Sequence, residues 1–488
     1  MKEKRKIIQK VIVIFFWLCV WQLLAVWTHN PVLLVGPLQV VKALFTNIIE
    51  PDFLKIVLYS LCRIGCGFFL AFLAGFFLGM CSYRYSFLGL FLSPIMTLFT
   101  SVPVASFTVL LLIWAGSSGL SFFISFLIVL PNVYVNTIAG FRSVDKKLLE
   151  MAEIFHMKHW NRFLCLYAPA LFPYLRSCLK ISLGMSWKSG VAAEVIGMPR
   201  YSLGERLYMS KIYLDTAGLF AWTLVIVLLS FAFEKAVLFL FQKLEDWKPY
   251  PALSGMAEKK ARQQHLESGG AVLVDNVSKT YGEKQVLSNF SLTLEPGGRY
   301  CLMAPSGGGK TTLLRLLGGM EPADGGEIRG MPERIGMVFQ EESLMEERDV
   351  ISNLLAVAGS EKTKTEKIEA GRTKRRQYRK KTQEIGRIRT EAAEILPEEC
   401  LDKPVRGLSG GMKRRCAVLR AMLSGASFFM MDEPFAGLDE ASRRRTAAYI
   451  LKKLEGRTLL ITTHRAEDAA LLDALRIDLQ KEFPGKKC

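Results

Sequence analysis

Residues 299–317 read RYCLMAPSGGGKTTLLRLL, and this stretch decides the class of the second half of the chain. The apolar run 299–304 has the length and composition of a buried strand. Ser306, Gly307, Gly308 and Gly309 follow it. Glycines let backbone N–H groups converge on a phosphate chain. Lys310 is then placed to reach the β- and γ-phosphates, and Thr311 to offer a hydroxyl to Mg²⁺. Thr312 opens a helix whose positive end faces the phosphates. Residues 304–312 fit a phosphate-binding loop everywhere but at the first position, where Ala304 replaces glycine. Alanine fits there only if the backbone keeps a negative φ.

Downstream, Phe428–Met431 is an apolar strand that ends in Asp432 and Glu433. Asp432 is placed to hold Mg²⁺ through its water shell, and Glu433 to orient or deprotonate the attacking water. Five more elements surround this pair: Tyr281 in SKTYG, Gln340 in VFQ, LSGGM at 408–412, AGLD at 436–439 and TTH ending at His464. In this order the set resembles the ATPase of ABC transporters over about 271–480. The resemblance implies that Tyr281 stacks on adenine and that Gln340 reaches the metal. It also implies that Ser409, Gly410 and Gly411 form the signature, whose helix start faces a phosphate. Asp439 and His464 match the two later motifs, with His464 in a catalytic role beside Glu433. The implied cofactors are ATP and Mg²⁺.

The first half has a different composition. Residues 1–250 hold 23 Lys+Arg and 12 Asp+Glu, whereas 251–488 hold 40 and 33. Charged residues are thus 14% of one half and 31% of the other. Half of the whole chain is hydrophobic. Neither a wholly soluble nor a wholly membrane-embedded protein fits this split. The opening MKEKRKIIQK precedes the uncharged run VIVIFFWLCVWQLLAVW, which reads as a retained first span because no small-residue cleavage site follows. Ile64–Tyr83 is a second span. The 57 residues from Tyr85 to Phe141 contain no charged residue or histidine. A crossing needs about 20 residues, so this stretch crosses twice and turns at Ala115–Gly119. Leu175–Met198 and Leu219–Phe241 complete about six spans. Lys188 and Glu194 in the fifth point either to a pathway role or to a tilted helix with charges near its ends.

The positive-inside rule orients these spans. The amino-terminal tail carries Lys2, Lys4, Arg5, Lys6 and Lys10, and the loop after the fourth span carries Arg142, Lys146, Lys147, Lys158, Arg162 and Arg176. Tail, loop and everything after residue 241 are therefore expected in the cytoplasm, in a multi-pass protein of the cell membrane. The loop 199–217, with Arg200, Arg206 and Lys211, fits the rule less well.

Residues 148–175, LLEMAEIFHMKHWNRFLCLYAPALFPYL, form the informative loop. It resembles the coupling loop of binding-protein-dependent ABC importer permeases, with Glu150, Ala152 and Pro169 matching. His156 stands where that pattern has glycine, so the turn there needs another solution. SVPVASFTVLLLIWAG and SWKSGVAAEVIG also resemble permeases of the nitrate/sulfonate/taurine type, over roughly residues 55–245. The fold read from the sequence is an all-α polytopic membrane domain of about six transmembrane helices (1–245). A polar linker (246–270) joins it to an α/β P-loop NTPase domain of ABC type (271–488).

The ten cysteines have no metal-ligand spacing and read as reduced and structural. Residues 362–389 hold twelve Lys+Arg and three Asp+Glu. This segment reads as a solvated helical face, or as a contact with anionic lipid headgroups. No nucleic-acid-reading element accompanies it.

One chain has one phosphate-binding loop and one signature, so the resemblance implies a homodimer with two composite ATP sites. It also implies an extracytoplasmic binding protein that delivers a small solute of nitrate, sulfonate, taurine or vitamin-precursor class across the lipid bilayer. An exporter half-transporter and a non-transport membrane ATPase are the alternatives. The first would have longer cytoplasmic helices and lack the loop, and the second would carry a sizeable external domain.

Overall fold

The computed structural model describes residues 2–247, 270–305, 307–358 and 374–479, without the side chains of 2–4, 6, 7, 10 and 374–381. Ser306, most of the linker and the first part of the basic segment lie outside the described residues. The chain divides into two compact units. One holds residues 1–143 and 170–248, and the other holds 144–169 and 249–488.

The first unit is helical: α1 (Lys2–Thr28), α2 (Pro37–Ile49), α3 (Phe53–Arg84), α4 (Ser86–Ser101), α5 (Val104–Arg142), then α8 (Ala168–Gly197), α9 (Leu203–Ile212) and α10 (Thr216–Asp246). Among the described residues, four helices are long and apolar enough to cross a membrane: α1 from Val11, α3, α5 and α10. Their outward faces are apolar as well, with Phe15, Trp17, Leu23, Phe77, Val227 and Phe239 exposed. A helix apolar all round suits lipid rather than water.

The expected third span falls on α4 plus the first part of α5, and the fifth on α8. Gly116, at φ 67° and ψ 177°, interrupts the helical geometry of α5. The packing register gives the directions. Methyl groups placed on Gly67, Gly75 and Gly79 of α3 would press on Phe122, on the Leu130 oxygen (2.8 Å) and on Thr137 (2.8 Å). Sequence numbers rise together, so α3 and the second half of α5 are parallel. The chain must return between them, and α4 with the first part of α5 carries it back. In lipid, small residues that admit a close backbone approach replace the hydrophobic effect as the source of helix association.

α8 runs against α5, with Leu171 packed on Gly140 and the Ser125 hydroxyl donating to the Ser186 carbonyl at 3.4 Å. α10 runs against α8 and along α3: Phe172 meets Phe241, Trp187 meets Phe233, and Phe53 stacks on Trp222. The carboxyl ends of α3, α5 and α10 therefore lie at one end of this unit. Glu194 is fully buried, whereas Lys188 is exposed. The Ser60 hydroxyl donates to Glu194 at 2.7 Å and accepts from the Leu203 N–H at 2.9 Å, tying α3, α8 and α9 together.

The second unit begins with α6 (Lys146–Ile154) and α7 (His159–Arg162), and continues after the linker. An antiparallel sheet is ordered β2 (Lys284–Leu294), β1 (Val272–Tyr281), β4 (Gly325–Arg329). A parallel sheet is ordered β5 (Ile335–Val338), β6 (Phe428–Asp432), β7 (Thr458–Thr462), β3 (Arg299–Met303), β8 (Leu475–Asp478). Every residue of β6 and β7 is buried, as central parallel strands covered on both faces must be. The helices are α11 (Lys310–Leu317), α12 (Val350–Leu355), α13 (Lys374–Ala392), α14 (Gly410–Met422), α15 (Glu440–Leu454) and α16 (Ala466–Leu471). The carboxyl-terminal end of the basic segment is part of α13, held through Ile388 and Ala392 in the core.

Candidate active site

The site sits where parallel strands end, the usual ligand position of open α/β sheets. β3 leads into the glycine loop, where Gly307 and Gly309 have φ of 81° and 87°. A side chain at either would be strained. Gly308 is required for space, since a methyl there would lie 2.9 Å from the Ala304 Cβ and 3.0 Å from the Pro305 oxygen. Ala304 is not among the positive-φ residues, so the departure at the first loop position costs no backbone strain. Ser306 lies outside the described residues.

Lys310 Nζ donates to the Ala304 oxygen and lies 3.4 Å from His464 Nδ1. Burial lowers the Lys310 pKa, against the opposing effect of Glu433 and Asp432. Thr311 donates its hydroxyl to Asp432 Oδ2 at 2.8 Å, and Thr462 donates to Asp432 Oδ1 at 2.5 Å. His464 Nε2 is 2.6 Å from Glu433 Oε1. His464 thus stands between Lys310, at its Nδ1, and the Glu433 carboxylate, at its Nε2. Glu433 has φ of 48°, and its N–H bonds to the Thr462 oxygen at 3.1 Å. A left-handed glutamate costs about 1–2 kcal/mol, and such strain clusters at functional positions. Lys310, Thr311, Asp432, Glu433 and His464 are thus brought together from three strand ends.

Thr312 continues α11. Tyr281 ends β1, is 44% exposed and donates its hydroxyl to Glu321. Gln340 follows β5, its side chain exposed and its carbonyl accepting from Arg414 at 2.6 Å. Ser409 caps α14 by accepting from the Met412 N–H, and Gly410 and Gly411 form the first turn. Gly411 lies against Gly437 and Leu438. Asp439 caps α15 through the Ser442 N–H at 2.7 Å. The hydroxyl of Thr311 opposite the Asp432 carboxylate is an all-oxygen donor pair suited to a hard cation such as Mg²⁺.

Residues 144–169 pack on this same unit. Glu150 accepts from both terminal nitrogens of Arg315 on α11, at 3.1 and 3.2 Å. Lys147 pairs with Glu341 at 2.5 Å, His156 Nε2 meets the Glu333 oxygen at 2.9 Å, and Arg348 donates to the Leu164 oxygen at 2.9 Å. The Phe155 ring faces Arg420 of α14 at 5.3 Å. Arg420 is fully buried, and burial pushes its pKa down to about 10. Ala152 is buried, and Pro169 follows the π-helical turn Phe163–Tyr167, which runs straight into α8 and whose altered hydrogen-bond ladder accommodates a residue without an N–H. His156 adopts φ of 48°. Its N–H bonds to the Glu153 oxygen, and the Met157 N–H bonds to the Ala152 oxygen. This is the hydrogen-bond pair that a left-handed residue closes after a helix, normally a glycine. Histidine therefore takes the turn's geometry unchanged. Arg315, Glu321 and Arg420 carry no assignment in the sequence, and Thr462 is marked there only as part of TTH. Only the place of Arg315, five residues beyond Lys310 on one helix, hinted at a role.

Residues 287–436 match the family model described as ABC transporter, and residues 71–246 match that of the binding-protein-dependent transport system inner membrane component. The chain belongs to the ABC transporter family, with a permease and an ATPase of importer type fused in one polypeptide. It is 33% identical to the aliphatic sulfonates import ATP-binding protein SsuB 2 of Paracoccus denitrificans, over 46% of this chain and 83% of that protein. It is 31% identical to the taurine import ATP-binding protein TauB of Escherichia coli K12, over 44% of this chain and 80% of that one. It is 34% identical to the Nod factor export ATP-binding protein I of Rhizobium etli, over 41% of this chain and 63% of that protein's length.

Proposed function

We propose that two copies of this chain form an ATP-driven importer in the cell membrane. It moves a small solute of sulfonate or taurine type, handed over by an extracytoplasmic binding protein. The observation that carries the ATPase reading is the convergence of Lys310, Thr311, Asp432, Glu433 and His464. ATP lies with its adenine on Tyr281 and its phosphates against residues 306–312 and the start of α11. Phosphate oxygens take over the ammonium of Lys310 from the Ala304 carbonyl. Thr311, Asp432 and Gln340 are the residues that would hold Mg²⁺, which neutralises phosphate charge when bound. Glu433 accepts the proton of the attacking water, held in aim by Nε2 of His464. Ser409, Gly410, Gly411 and Asp439 serve the site of the second copy.

The importer reading is supported by the match of 71–246 to an importer permease component. It is also supported by the contacts of residues 144–169 with two different helices, α11 through Glu150 and α14 through Phe155. A segment held by the phosphate-loop helix and the signature helix moves when either one does. The test is reconstitution in vesicles. Glu433→Gln should lower ATP turnover by about 100-fold or more, and Glu150→Ala should keep ATP turnover while losing solute uptake. Normal turnover in the first variant removes Glu433 from catalysis. Wild-type uptake in the second refutes the coupling role.

A further inference from the structure

Four side chains form an unbroken polar chain across the second unit. Tyr281 donates its hydroxyl to Glu321 Oε2. Arg315 Nε donates to Glu321 Oε1 at 2.5 Å, and its two terminal nitrogens hold both oxygens of Glu150. No donor of Arg315 is shared: one edge of the guanidinium serves the ATPase and the other serves the loop at 146–157. The carbonyl of Pro322 and the carboxylate of Asp324 both bond to Lys279 Nζ, at 2.8 and 2.9 Å. The Thr280 N–H also bonds to Asp324, at 2.7 Å. The loop bearing Glu321 is therefore fixed to the strand that carries Tyr281. Partial burial works to raise the Glu321 pKa, but the hydrogen bonds from Tyr281 and Arg315 outweigh it and the net value lies below the ordinary one. The Glu150 carboxylate, ahead of Glu321, raises that of Arg315. Both shifts favour the charged forms of Glu321 and Arg315.

Stacking on adenine needs only the face of the Tyr281 ring. The hydroxyl is not needed for it, yet it is the atom that enters the chain. We propose that Glu321 is a positioning residue that links the adenine platform to the coupling loop: a base seated on Tyr281 resets the tyrosine hydroxyl, Glu321 follows, and Arg315 changes its grip on Glu150. The coupling loop thereby senses the base of the nucleotide as well as its phosphates. This rests on Tyr281 as the adenine platform and on 146–157 as coupling loop.

The experiment uses the full chain in lipid nanodiscs and follows amide hydrogen exchange at residues 146–157. The probes are the non-hydrolysable analogue AMP-PNP and inorganic tripolyphosphate, each saturating and with Mg²⁺. In the wild type, AMP-PNP should change exchange there by about threefold or more beyond any change that tripolyphosphate produces. Tyr281→Phe keeps the ring and removes only the hydroxyl, and Glu321→Gln keeps the shape and removes the charge. Each should abolish the difference between the two probes, and the double variant should do no more than either one. A merely structural role for Glu321 would lower stability without touching that difference. If both variants keep the wild-type difference, or if tripolyphosphate alone produces the full response, the link is overturned and the coupling loop stands. If bound AMP-PNP leaves 146–157 unchanged in the wild type, the link and the coupling assignment fall together.

Discussion

The two units solve the same packing problem by opposite means. In the helical unit, α3 and α5 meet through Gly67, Gly75 and Gly79, and large side chains such as Phe77 and Phe239 point outward. In the ATPase unit the large side chains go inward: Phe428, Phe429, Met430 and Met431 of β6 are all fully buried. Solvent explains the difference. Water drives apolar groups together at about 25 cal/mol per Å², so bulk in the core stabilises the sheet. Lipid offers no such gain, so close backbone approach at small residues has to hold the helices. Large apolar residues therefore lie on the surface of the helical unit as well as inside it, where Phe68 and Trp187 are buried, whereas in β6 they lie wholly in the centre.

The contrast can be broken from either side. The largest effect should come from Phe429→Ala, which leaves a cavity between β6 and the helices and costs about 3–5 kcal/mol. Thermal unfolding of the purified chain should show a lower transition for the ATPase unit. An unchanged transition would mean that β6 does not anchor this core. Next comes Gly75→Ala. Its methyl would meet the Leu130 oxygen at 2.8 Å and the Val133 Cβ at 2.9 Å, whereas Gly184 has nothing within 4 Å. Gly75→Ala should cost about 1–3 kcal/mol in melting experiments in detergent, and Gly184→Ala nearly nothing. Equal effects would refute packing through glycine. The smallest effect concerns acidity. Because the folded-state pKa of Glu321 is lowered, its contribution is present above the ordinary carboxylate range and is lost as the pH falls through it. Glu321→Gln should flatten the acid limb of the stability profile of the second unit slightly, and an identical limb would sever Glu321 from that stabilisation.

Much of the site is legible in the sequence because its chemistry depends on local backbone. Three successive glycines, a lysine and a threonine make a phosphate loop wherever a strand precedes and a helix follows. The apolar strand ending in Asp432 and Glu433 is similarly self-declaring. The membrane reading was coarser. The turn expected at 115–119 is present as the interruption at Gly116, while charge alone left the place of Glu194 open. Burial separates the two charged residues of α8: Glu194 is enclosed and bonded to Ser60, and Lys188 is exposed.

The linear order of residues determined the two-part composition, the glycine loop and its acids, and the membrane helices, because each follows from patterns within a few turns or one strand. Tertiary structure alone decided that residues 144–169 belong with the ATPase, and that Glu150 meets Arg315, 165 positions later. It also decided that His156 takes a conformation normally left to glycine. Those outcomes depend on which charges and carbonyls are brought opposite one another after folding, and no local period in the chain encodes that.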